Sequence, residues 1–279
     1  MSEYEFNLKK FDFASITNDK IFVMGIGGGN DVVGAYIVAR LIKRVHPNSE
    51  ILYGSCLSPK NNYIGFVQIS EGLYVRDSRE EKFNEKPTLK IVQRLKIFDS
   101  DFCAPYVLIS DEKRATGRIS NESLDYFKEY TIITIDNGGD SLTGGKKGDN
   151  GFDYKNLMYL KGKGISFLHI ILGLGCDGES DIEKIKKMIK AQSQSIIGEF
   201  TMDEIATILS PMINDIHSPE RENVDTTVII LEADNFLKSN ENSDTLFTVP
   251  RHERKTQVPY AWLNKAIVFC GQKLCEVTK

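Results

Sequence analysis

Three stretches of the chain join glycines to carboxylates in one recurring pattern: Gly25-Ile26-Gly27-Gly28-Gly29-Asn30-Asp31, Asp136-Asn137-Gly138-Gly139-Asp140 and Gly173-Leu174-Gly175-Cys176-Asp177-Gly178-Glu179. Glycine lets the backbone approach a ligand closely, and the N–H groups at the start of a following helix favour an anion. Gly27, Gly28, Gly29, Asn30, Gly138, Gly139, Gly175, Cys176 and Gly178 are therefore candidate ligand-binding residues. Carboxylates beside a phosphate cradle repel the phosphate unless a cation stands between them. Asp31, Asp136, Asp140, Asp177 and Glu179, with the side-chain oxygen of Asn137, supply the hard oxygen ligands that Mg²⁺ or Mn²⁺ takes. Asp31, Asp136 and Asp177 are the candidate catalytic carboxylates among them. Helix capping explains Asp31, Asp177 and Glu179 equally well. It explains Asp136 less well, because that acid ends an apolar run with no clear helix after it.

The elements that must position these loops are legible as short Ile/Val-rich runs, the mark of strands buried on both faces of a parallel sheet. Lys20 to Met24 predicts a strand, and Val32 to Val45 a helix that stops at His46-Pro47. Further strands are expected at Ile51 to Tyr53, Tyr106 to Ile109, Thr131 to Ile135, Ile165 to Leu172 and Thr226 to Leu231, with an apolar finish from Tyr260 to Cys270. Helices are expected near Leu89 to Phe98, from Ser120, which supplies an N-cap, and over Ile182 to Ala191. Ser141 to Asp153, dense in Gly, Lys and Asp, reads as a mobile surface loop. Alternating strands and helices predict one α/β domain over residues 1–279, three-layer α/β/α with a mostly parallel, Rossmann-like sheet; residues 55–104 read as an insertion without a clear pattern. In such a sheet ligands bind outside the carboxyl ends of the strands, where all three glycine-acid loops fall, and this predicts that the loops converge.

Other chemistries find less support. Gly25-x-Gly27 begins a dinucleotide fingerprint, but its third glycine position is Asn30 and the next strand ends in Tyr53-Gly54-Ser55 without a ribose-binding acid, so neither NAD nor FAD is expected. No GxxxxGK[ST], GxSxG or HExxH sequence occurs. Cys176 reads as a small packing residue, its thiolate disfavoured by Asp177 and Glu179, and His169 as a satisfied core histidine. His46 and His217 read as structural. Arg251, His252, Arg254 and Lys255 form a basic run that can grip an anion or merely face solvent, and Lys146 and Lys147 can close over a ligand or merely keep a loop soluble.

Taken together, Gly27 to Ala35, Asp136 to Leu142 and Gly173 to Glu179 resemble the domain-of-unknown-function family numbered 1152, in the right order and over nearly the whole chain. That resemblance supports a site without naming a reaction. The family pattern continues the second motif with a glycine-acid pair and a Ser-Pro segment, where this chain has Gly144-Gly-Lys-Lys-Gly-Asp149. At motif level Asp136-Asn-Gly-Gly-Asp140 also resembles the Asp-Asn-x-Gly-Asp/Glu motif of metal-dependent damage-control phosphatases, in which the Asp and Asn bind a divalent metal.

With 35 basic and 39 acidic side chains the formal charge is −4, which argues against nucleic acid or an anionic membrane surface as partner. The five cysteines are scattered and form no CxxC pair, as expected in a reducing cytosol. The start Met1-Ser-Glu-Tyr-Glu-Phe6 lacks a basic and apolar leader pattern, and the longest apolar stretch, Ile165 to Cys176, is interrupted by Ser166, His169 and Gly173, so no membrane span is expected. These features converge on a cytoplasmic metal-dependent hydrolase or transferase acting on a small phosphorylated metabolite or nucleotide. A non-catalytic metabolite sensor and a metal-dependent lyase, cyclase or ligase on an amino-acid-like substrate use the same residues, and a homo-oligomer is compatible with each.

Overall fold

The computed structural model describes residues 4–57, 63–77, 87–111, 118–145, 151–202, 205–211, 226–239, 244–250 and 255–276. The strands are β1 (Lys20–Gly25), β2 (Glu50–Leu57), β3 (Phe66–Ser70), β4 (Leu73–Arg76), β5 (Tyr106–Asp111), β6 (Arg118–Ile119), β7 (Thr131–Asn137), β8 (Phe167–Leu172), β9 (Ile196–Thr201), β10 (Leu246–Thr248), β11 (Gln257–Pro259) and β12 (Lys265–Cys270). The helices are α1 (Asp31–Val45), α2 (Pro87–Phe98), α3 (Asn121–Tyr126), α4 (Asp140–Thr143), α5 (Phe152–Gly162), α6 (Ile182–Ala191), α7 (Ile205–Leu209), α8 (Thr226–Ser239) and α9 (Tyr260–Leu263). The architecture is mixed α/β, with a mostly parallel central sheet flanked by helices, consistent with the expected three layers. Among the described residues no helix is long and apolar enough to cross a membrane. The chain packs as two compact units: Asp12–Ile135 with Lys155–Phe167, and Met1–Phe11 with Asp136–Tyr154 and Leu168–Lys279.

In the first unit the strand order is β3-β4-β5-β2-β1-β7. Ile21 to Gly25 are all buried, so β1 needs strands on both sides and cover on both faces. It pairs in parallel with β2, Gly25 opposite Ser55, and with β7, Gly25 opposite Ile135. Parallel neighbours require a crossover, and α1, buried at Asp31 to Ala39, Leu41 and Ile42, makes the one from β1 to β2. β5 runs parallel to β2, while β4 and β3 follow antiparallel within the region that carries no clear sequence pattern. Phe22 stacks on Phe127 with ring centroids 3.8 Å apart. Ser120 accepts from the Ser123 N–H and caps α3, as its sequence predicts.

In the second unit β12 lies between β8 and β9 and is antiparallel to both, Ile267 facing Ile171 on one side and Glu199 on the other. The N-terminal segment lines the outer edge of β9: the Phe11 N–H donates to the Glu199 carbonyl at 2.7 Å, and the Glu199 N–H to that of Lys9 at 2.9 Å. Trp262, fully buried, stacks on Phe6 and donates its indole N–H to the Tyr4 carbonyl at 2.6 Å.

Thr226 to Leu231 is a correction: it opens the fourteen-residue helix α8, not a strand. An apolar run buried along most of its length has the same pattern in either state, and its length favours the helix. Ile229 is buried as expected, but on that helix, whereas Phe22, Val23, Ile133, Ile135, Phe167 and Ile170 are buried in strands. The run from Tyr260 to Cys270 is a turn of helix followed by β12.

Close strand packing makes a direct test. A Cβ on Gly54 would lie 2.4 Å from the Tyr106 carbonyl oxygen of the neighbouring strand, whereas one on Gly162, at the exposed end of α5, would meet nothing within 4 Å. Gly54→Ala is expected to destabilise by about 1–3 kcal/mol, and Gly162→Ala to stabilise by about 0.5 kcal/mol. Urea unfolding of the two variants checks both signs.

Candidate functional site

β7 delivers Asp136 and Asn137 into the second unit, both buried. Gly138 and Gly139 follow with φ of +113° and +101°, a conformation that side chains with a Cβ rarely adopt, and they turn the chain back into the single helical turn of α4. The turn places Ser141 against the acid. Asp136 Oδ2 accepts from the Ser141 N–H at 3.0 Å and, over a short contact, from the Ser141 hydroxyl. Asp136 Oδ1 is buried and has no hydrogen-bond partner among the described residues. The expectation that no helix follows Asp136 is thus corrected: the acid does hold a helix start, with one oxygen.

A second carboxylate faces it. Asp153, in the first turn of α5, offers an oxygen within 4.8 Å of one of Asp136. Burial pushes the Asp153 carboxyl up to about 7, and the charges of Asp136, Glu179 and Asp177 push the same way, against a hydrogen bond with Asp140. Burial also raises Asp136, against the hydrogen bonds from Ser141 and Gly139.

The third glycine-acid loop packs directly on the second. The Gly175 N–H donates to the Gly138 carbonyl at 2.8 Å, and a Cβ on Gly138 would lie 2.3 Å from the Asp177 carboxyl carbon. Gly145 plays the same part on the other side, with Glu179 Oε2 2.7 Å and Asp140 Cβ 2.9 Å from where its Cβ would be. Asp136, Asp140, Asp177 and Glu179 are therefore brought together, and Asp153 joins them. Asp177 accepts from the Glu179 N–H at 2.8 Å in a local turn, while the cap of α6 is Asp181, so neither acid caps that helix. Asn137 donates from its amide to the Thr226 hydroxyl at the start of α8, 3.4 Å away. Thr256 donates to the Gly178 carbonyl, and a Cβ on Gly175 would lie 2.6 Å from Val258. Cys176 is fully buried with its sulfur 3.8 Å from the Leu172 carbonyl oxygen, a packing position.

The first loop is described within its own unit. Asp31 opens α1 and reaches back to accept from the Gly27 N–H at 3.0 Å. Ser55 donates to the Gly27 carbonyl and Asn156 to that of Ile26, which fixes the loop from outside. Asn30 precedes α1 without a side-chain cap bond; Gly28 is exposed, and the space a Cβ would occupy at Gly29 is open. Lys146, Lys147, His217, Arg251, His252 and Arg254 lie outside the described residues.

Sequence reasoning missed Asp153 and Ser141, assigned to a mobile loop of which they are the two ends. The described parts of that stretch are helical at both ends. The signal for Ser141 was its place one turn past two glycines. His169 is buried as expected, yet its Nε2 lies 3.1 Å from Ser141 Oγ, one step from Asp136. Burial alone holds its pKa down to about 3, so the ring is neutral. No family model, curated protein or solved structure matches the chain.

The raised Asp153 pKa fixes a sign. A folded pKa above the ordinary value near 4 stabilises the fold while the group is protonated, and that stability is lost as pH rises through about 7. Asp153→Asn keeps the uncharged shape. In chelator, its unfolding temperature is expected to gain on the parent's as pH rises from about 4 to 8, by about 2 °C or more at the upper end. His169 acts with the opposite sign, costing stability as pH falls from about 6.5 toward 3, and cancels because both proteins carry it. Calorimetric scans across that range check the difference.

Proposed function

We propose that the chain is a metal-dependent hydrolase or transferase acting on a small phosphorylated metabolite, with Asp136 and Asp153 at the centre of a Mg²⁺ or Mn²⁺ site. The observation that carries this reading is the buried Oδ1 of Asp136, without a hydrogen-bond partner among the described residues, with an Asp153 oxygen within 4.8 Å of that carboxylate. A carboxylate oxygen removed from water demands a partner, and an oxygen-rich acidic pocket selects a hard divalent cation. A bound divalent cation supplies polarisation of a phosphoryl oxygen and an activated water.

The residues divide the remaining work. Asp136 uses Oδ2 to grip Ser141 and keeps Oδ1 for the ion. Asp153 completes the pair, while Asp140, Asp177 and Glu179 add negative charge and receive water-mediated contacts. Asn137, tied to Thr226, orients the end of β7. Asp31, in the other unit, stays a candidate ligand on its sequence motif alone. Within its own unit, the loop of the exposed Gly28 and open Gly29 can offer backbone N–H groups to an anion. Small-metabolite chemistry in the cytosol fits the scattered thiols and the acidic net charge.

Asp136→Asn retains an oxygen able to accept from Ser141 and loses the charge. It is expected to fold with an unfolding temperature close to the parent's and to bind Mn²⁺ about tenfold to hundredfold more weakly by titration calorimetry. Equal affinity in the two proteins removes Asp136 as a ligand. Release of inorganic phosphate from a panel of phosphorylated metabolites in Mg²⁺ or Mn²⁺ separates an enzyme from a sensor, which binds its ligand and leaves it intact.

A further inference from the structure

We infer that Ser141 and His169 are positioning residues for Asp136: the Ser141 hydroxyl, held between imidazole and carboxylate, commits Oδ2 to the protein and leaves Oδ1 turned to the cation. This rests on the metal-binding reading above and extends it to residues that touch no ion. Ser141 and His169 are each fully buried, so water competes for neither contact. Ser141 Oγ lies 3.1 Å from His169 Nε2 and in short contact with Asp136 Oδ2, which also accepts from the Ser141 N–H at 3.0 Å.

The direction of each bond follows from what each group has to give. An ionised carboxylate only accepts, so the one hydroxyl proton of Ser141 goes to Oδ2. Its oxygen then accepts, and His169 donates from Nε2. His169 sits on β8 directly opposite Phe269 of β12, with ring centroids 6.0 Å apart, which limits the swing of the imidazole. The order Asp-Ser-His places the hydroxyl in the middle, unlike a hydrolytic triad, where the imidazole stands between acid and nucleophile. Ser141 is therefore an anchor for the carboxylate and not a nucleophile.

Two contacts on Oδ2 stop rotation of the carboxylate. Removing the hydroxyl takes away the one side-chain contact from Ser141 and leaves backbone N–H bonds, so the aim of Oδ1 is loosened. Outer partners of metal ligands typically matter by about tenfold to hundredfold in affinity.

The test titrates Mn²⁺ into the parent chain, Ser141→Ala, His169→Leu and His169→Gln, following free Mn²⁺ by its electron paramagnetic resonance signal and the metal-free unfolding temperature of each. Ser141→Ala and His169→Leu are expected to bind about tenfold to hundredfold more weakly. His169→Gln, whose amide nitrogen can donate from the place of Nε2, is expected to bind close to the parent. Ser141→Cys, of similar size and a poor donor, stands in for Ser141→Ala if the alanine variant does not fold. Parent-like affinity in Ser141→Ala, or a Gln variant as weak as the Leu variant, overturns the inference while leaving the metal site intact. A parent that binds no Mn²⁺ overturns the metal site itself.

Discussion

Everything around the site follows from one costly placement, an aspartate at the end of a strand with almost no exposure to water. Removing a carboxylate from solvent is strongly unfavourable unless its oxygens are partnered. The fold partners one oxygen of Asp136 through Ser141 and leaves the other without a hydrogen bond among the described residues. It then gathers Asp140, Asp153, Asp177 and Glu179 nearby, and the charges of Asp136, Asp177 and Glu179 all push the Asp153 carboxyl up. Such an arrangement is poor as a structural device, because a cluster of acids stabilises nothing unaided. It makes physical sense as a receptor for positive charge.

The packing shows that this gathering is imposed by the backbone. Gly138 admits the Asp177 carboxyl into space a methyl group would fill, and Gly145 does the same for Glu179 and Asp140. Loops pressed together this closely hold the acids in place whether or not the charges repel. The energy that keeps them there comes from the buried strands behind, β8 and β12 above all, where Ile170, Ile171, Ile267 and Val268 are fully buried. Core burial and charge crowding are thus coupled through the glycine turns.

Much of this was legible in the sequence because a parallel strand buried on both faces announces itself as a continuous apolar run, and a glycine-acid loop at its end breaks that run sharply. Hence β1, β7 and β8, the helices α1 and α6, and the acids Asp136, Asp140, Asp177 and Glu179 were readable. What escaped did so for physical reasons. α4 has four residues, too few for any periodicity, so the Ser141 bond to Asp136 left no trace in the pattern. Asp153 belongs to a helix whose apolar residues form no clear stripe, and it reads as the tail of a polar loop. α8 opens on Thr-Thr-Val-Ile-Ile, which by composition suits a strand, and only its burial over a longer span decides otherwise.

Capping and metal ligation, set against each other residue by residue in the sequence, are compatible on the proposed reading once the two carboxylate oxygens are counted separately. Asp136 caps with Oδ2 and presents Oδ1. The capping bond does for the ligand what a dedicated outer partner does in any metal site: it selects one rotamer of the acid before an ion arrives, so less freedom is lost on binding. A cap at a strand-to-helix turn is then a natural starting point for a cation site, since its backbone bond already orients the oxygen and only the second acid has to be supplied. In the site proposed above that acid is Asp153, brought in by the first turn of α5. His169, neutral in its burial, completes the arrangement from behind without adding positive charge that would compete with a cation for Asp136.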